Sequence, residues 1–148
     1  MAATNKIFVT KILAALVVLF GAGYLILKVV PDFFAGEDRR SYKFLSNVAA
    51  DLNRSLPTMI DRETELLLTV GAEGMLMYSY RLVNFSATQV DPKKFATAAK
   101  QQVTQGACAT AETRDGYLRK GVTLRYSYYD KEKQHIATVD VTPSDCGF

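Results

Sequence analysis

The chain reads as an α+β protein: an N-terminal transmembrane helix, then a small domain with a four-stranded antiparallel sheet of two hairpins and helices packed on one face. Three observations predict this. The run from Ile12 to Leu27 (ILAALVVLFGAGYLIL) carries no charge. Two pairs of later segments alternate apolar and polar residues as half-buried strands do. Two stretches place apolar residues at helical spacing. The domains are therefore residues 1–30 as an anchor, 31–37 as a membrane-proximal linker and 38–148 as a soluble α+β domain.

About 20 to 24 helical residues at 1.5 Å each match a hydrocarbon core of roughly 30 Å, and the apolar character spans Ile7 to Val30. A cleavable signal competes with an anchor here, because such signals end in a small-residue cleavage site. Phe33 at the −3 position relative to Ala35 makes a poor site, and cleavage after Gly23 would leave YLILKVV exposed. The anchor is the better reading. Lys11 and Lys28 sit near its ends, where long side chains reach the headgroups. Lys6 and Lys11 on one side face Lys28, Arg39, Arg40 and Lys43 on the other, so the positive-inside rule does not place the N-terminus in the cytoplasm.

In the domain, Leu45, Val48, Ala49, Leu52 and Leu56 predict an amphipathic helix within Asp38–Leu56, ended by Pro57. A hairpin follows. Thr64, Leu66, Leu68 and Val70 alternate with Glu63, Glu65, Leu67 and Thr69, Gly71 to Gly74 turn the chain, and Leu76 to Leu82 return. Asp91 and Pro92 open a second helix as cap and first residue, with Phe95, Ala99 and Val103 as its stripe up to about Gly106. A shorter helix runs from Thr110 to Lys120, with Gly121 as terminator. Val122 to Tyr129, the turn DKEKQ and HIATVDV form the second hairpin.

Of 18 basic and 15 acidic residues, Lys6, Lys11, Lys28 and Asp32 precede Glu37, which leaves 15 and 14 for the domain. Such a balance gives no support for nucleic-acid binding. Cys108 and Cys146 are the only cysteines. An even pair behind an export-type segment predicts a disulfide in an oxidising compartment. Closing about 38 residues would stabilise the fold by roughly 4 kcal/mol in the chain-entropy model. That bridge puts the domain outside the cytoplasm and gives the anchor its direction.

Catalytic, cofactor and metal sites are not found. The sole histidine, His135, begins the last strand beside a solvated turn, where a strand-edge role outweighs a catalytic one. No G-x-S-x-G elbow or phosphate loop is present. Asp61, Glu63 and Glu65 have cation-site spacing, but on a strand they point to solvent. Tyr78, Tyr80, Tyr126 and Tyr128 share parity with the aliphatic core positions and are expected to fill the sheet–helix core, their hydroxyls at its margin. Tyr129 has the opposite parity. With Arg125 and Arg81 it makes a candidate exposed interaction face.

The organisation resembles that of type IV pilin-like proteins, but Lys11 and the absence of a glutamate before Glu37 set the chain apart. It is more similar to small membrane-anchored bacterial envelope proteins of unassigned function. The residues that carry this are Leu56-Pro57-Thr58-Met59-Ile60-Asp61 with Thr64, Tyr78-Ser79-Tyr80, Cys108, Gly121-Val122, Tyr126-Ser127-Tyr128-Tyr129-Asp130 and Asp145-Cys146. The resemblance implies a single-pass protein of the inner membrane with its domain in the periplasm. The expected function is a non-catalytic interaction module of the cell envelope, binding other envelope proteins or itself and needing no cofactor. The alternatives are a toxin-neutralising immunity or phage-exclusion protein, and a small hydrolase using Ser or Asp with His135.

Overall fold

A computed structural model of the protein describes residues 38–148. The expected anchor 1–30 and linker 31–37 lie outside the described residues. Among the described residues, no helix is long and apolar enough to cross a membrane.

The elements run α1 (Tyr42–Asn53), β1 (Thr58–Met59), β2 (Thr64–Ala72), β3 (Met75–Leu82), α2 (Pro92–Ala109), α3 (Ala111–Gly116), β4 (Thr123–Tyr129) and β5 (His135–Val141). Short 3-10 turns lie at Ala87–Gln89, Leu118–Lys120 and Pro143–Cys146. Local chemistry sets the helix starts. The Ser41 hydroxyl accepts from Phe44 N at 3.2 Å. The Asp91 carboxylate accepts from Lys93 N and Lys94 N at 3.0 and 3.1 Å, with Pro92 behind it. Gly121 adopts φ +82°, the left-handed geometry that ends the 3-10 turn before β4.

The sheet corrects the expected fold class. It has five strands in the order β1-β2-β3-β4-β5, and it is mixed. The two hairpins β2–β3 and β4–β5 are antiparallel, but β3 and β4 run parallel, with Tyr78 beside Tyr126 and Tyr80 beside Tyr128. The connection between them, residues 83–122, contains α2 and α3 and carries the chain back to the end of the sheet from which β3 started. Such a crossover yields a parallel neighbour. The additional strand, β1, is two residues long and pairs Thr58 with Leu66 and Met59 with Glu65; alternation cannot reveal so short a strand.

A second correction concerns β2. The register slips by one residue between Leu66 and Leu68. A bulge there reverses which side chains face the core. Leu68 and Val70, expected in the core beside Leu66, stand on the open face at 46% and 40% exposure. Thr69 takes the inward position and is 1% exposed.

Helix α1 packs on β2 and α2 on β5, over the same face of the sheet. Leu45 and Ala49 meet Leu76, Leu124, Val141 and Ala107 in one cluster, and Ala99 meets Leu82, Tyr128, Ala137 and Val139 in the other. The approach of α1 depends on Gly71, where a Cβ would lie 2.1 Å from the Leu45 carbonyl carbon. The outer edge of β2 is closed by a side chain: the Asn53 amide donates to Thr69 O and accepts from Thr69 N, both at 2.8 Å.

Cys108 at the end of α2 is joined to Cys146 in the tail. Two turns earlier Lys100 Nζ donates to the Asp140 carbonyl and to Asp145 Oδ2, so α2 is fastened to the tail at both places.

Candidate functional site: a groove floored by tyrosines

The residues expected to form an exposed face lie together on the helix-free side of the sheet. Arg81 and Tyr129 are neighbours across β3 and β4. They line a shallow depression of about 500 Å³ with Pro57, Leu67, Leu68 and Lys133. Each of the three is half-buried and already engaged. Arg81 pairs with Glu65, Arg125 forms a two-point ion pair with Asp140 at 2.7 Å, and Tyr129 meets the His135 ring edge-on at 5.6 Å. Both arginines of this face are neutralised within it.

His135 is exposed, and its Nε2 lies 2.9 Å from Thr138 Oγ1, itself 3.1 Å from Ser127 Oγ. The chain of contacts lies on an open sheet surface. Asp61 belongs to the turn before β2 rather than to a strand. Its Oδ1 accepts from Glu63 N at 2.7 Å and Thr64 N at 2.8 Å, and the Glu63 N–H leads in holding this carboxyl below its ordinary range. Among the described residues no group of acidic, histidine or cysteine side chains is placed to hold a metal ion.

The helix-covered face holds the more developed cavity, a groove of about 520 Å³ between α2 and the strands. Its floor is Tyr80, Tyr126 and Tyr128, one wall is the α2 stripe from Phe95 to Thr110, and Ile60, Asp61 and Thr64 form the far side. Fifteen helical steps make this wall about 22 Å long. Several α2 residues in it are small: Ala98, Ala99, Gly106 and Ala107. A Cβ on Gly106 would meet nothing within 4 Å, so the groove is open there. At the mouth Ile60 is 54% exposed, next to Met59 at 49%.

The tyrosines occupy the expected inward parity, and their stacking defines what they offer. Tyr78 and Tyr126 lie 5.4 Å apart at 19°, as do Tyr80 and Tyr128 at 22°, and Tyr80 and Tyr126 are 6.2 Å apart at 11°. Phe95 meets Tyr128 edge-on at 5.0 Å. The ring faces are spent on one another, so the groove is offered ring edges and hydroxyls. Burial pushes the Tyr126 and Tyr128 phenols up to about 12, and Tyr78 and Tyr80 further in the same direction.

Sequence reasoning placed these tyrosines in the core and did not foresee the groove. The signal was the α2 stripe itself, where residues as small as Ala99, Gly106 and Ala107 face large aromatics without filling the space between them.

No protein-family model and no curated protein matches the sequence. Solved structures share the fold. One is a Pseudomonas aeruginosa protein described as secreted, with TM-score 0.61 and 20% identity over 71% of this chain and 91% of that one. Another is EpsS, the pilotin of the Vibrio vulnificus type 2 secretion system, with TM-score 0.60 and 20% identity over 75% and 96%. The Vibrio cholerae type II secretion pilotin AspS gives 0.56 and 18% over 76% and 98%. At these identities the likeness establishes a shared fold.

Proposed function

We propose that the protein is a non-catalytic interaction module of the bacterial cell envelope, working in the periplasm. Its groove would take the apolar face of a helix from another exported protein. The observation that carries this reading is the groove: an aromatic floor and a small-residue wall about 22 Å long, open at Gly106 and with exposed Ile60 at its mouth. The disulfide supports an oxidising compartment. The fold is shared with two pilotins of type II secretion systems, which supports a place near the export machinery.

A photo-crosslinking residue at Gln102, on the groove wall, tests the reading in intact bacteria. A second probe at Thr138, on the opposite face, is the control. The Gln102 probe should trap an exported protein, and Gly106→Leu, which fills the groove, should abolish the adduct. An adduct formed equally from Thr138, or unaffected by Gly106→Leu, would refute the assignment.

A further inference from the structure

The groove's apolar character conceals a polar demand. The phenols of Tyr80, Tyr126 and Tyr128 line the groove with no hydrogen-bond partner of their own among the described residues, and none is sealed from solvent, so water satisfies them in the open groove. Tyr128 is only 9% exposed, yet it lines the cavity. The Gln102 carboxamide on the facing wall is exposed and available to a partner. A buried hydroxyl deprived of a hydrogen bond is costly, so a purely hydrocarbon surface pressed onto this floor would displace water and give nothing back. The stacked ring faces are closed to an inserted aromatic.

Resting on the groove reading above, we infer that the occupant is an amphipathic helix whose buried stripe is mixed. Aliphatic residues would lie against Val103 and the α2 alanines. Hydroxyl or carboxamide side chains (Ser, Thr, Asn or Gln) would bond the phenols of Tyr80, Tyr126 and Tyr128. The selectivity lies in what is rejected: a uniformly leucine-rich helix fits the shape but leaves the phenols unpaired. Gln102 supplies a fourth hydrogen-bonding group from the wall, so partner polar residues are required on both sides of the buried stripe.

Two labelled helical peptides of about 14 residues, matched to the wall length, test this with the full-length protein by fluorescence anisotropy. They are identical except that the central stripe is all leucine in one and carries serine and glutamine in the other. The wild-type protein should prefer the mixed peptide. Tyr126→Phe and Tyr128→Phe should each weaken that peptide about fivefold, the equivalent of about 1 kcal/mol for one net hydrogen bond, and leave the leucine peptide unchanged. Near-ultraviolet circular dichroism reports whether the ring stack survives. Equal or better binding of the leucine peptide, or Phe variants that hold the mixed peptide as well as wild type, would overturn the inference while the groove reading stands. If neither peptide binds, or if Gly106→Leu leaves binding intact, the groove reading falls and takes this inference with it.

Discussion

Two glycine-to-alanine substitutions, chemically identical, should change stability in opposite directions. At Gly71 the new methyl would sit 2.1 Å from the Leu45 carbonyl carbon, 2.2 Å from its oxygen and 2.4 Å from Ser46 N, about 1.3 Å short of the 3.4 Å at which ordinary contact begins. All three atoms are backbone, so no side chain can swing away. Helix α1 must retreat, drawing Leu45 and Ala49 (0% and 4% exposed) out of the core. Overpacking costs about 1–3 kcal/mol, partial loss of a buried leucine adds to it, and about 0.5–1 kcal/mol returns from the stiffer unfolded chain. The net expected loss is about 3 kcal/mol, roughly 10–20 °C in Tm for a domain of this size. At Gly106, inside α2, a methyl meets open space, and helix propensity alone should add about 0.8 kcal/mol. Urea unfolding of the oxidised full-length protein, followed by tyrosine fluorescence since there is no tryptophan, gives both values. Gly71→Ala within about 0.5 kcal/mol of wild type, or a destabilising Gly106→Ala, would refute this account of how α1 and α2 pack.

Asn53→Ala should cost about 1–2 kcal/mol, because it strips both partners from the buried Thr69 backbone; the Thr69 amide should then exchange with deuterium far faster. Removing the bridge with Cys108→Ser and Cys146→Ser should lower stability by about 4 kcal/mol for a 38-residue separation, measured by denaturant midpoint against the oxidised protein; a loss below about 1 kcal/mol would contradict this chain-entropy account. The phenols of Tyr126 and Tyr128, raised from 10 to about 12 in the folded state, contribute stability that is fully present below pH 10 and lost as pH rises through 12. Phenolate absorbance should therefore show groups titrating near 12 together with unfolding, and a single midpoint near 10 with the fold intact would contradict their burial.

What the sequence made legible was local. Asp91-Pro92 marks a helix start by side-chain chemistry that operates within four residues, and each hairpin is written in alternation plus a turn. Cysteine pairing was legible because only two were available. Three features escaped. The bulge at Leu67 changes no composition, yet it exchanges Thr69 for Leu68 and Val70 on the inward side. Strand β1 is too short to carry a period. The parallel seam depends on where a crossover of some 40 residues sets the chain down, which no window along the chain records. The groove follows from that seam, since Tyr80 belongs to one hairpin and Tyr126 and Tyr128 to the other.

The seam also orders events in time. Each hairpin joins residues close in sequence and can form early, whereas the β3–β4 pairing must wait for the intervening helices and a long loop closure. The tyrosine floor straddles that junction, so neither half of the domain possesses it. The proposed binding surface therefore does not exist until the β3–β4 pair has docked. On the reading proposed above, competence to hold a partner would arrive in one step with completion of the fold.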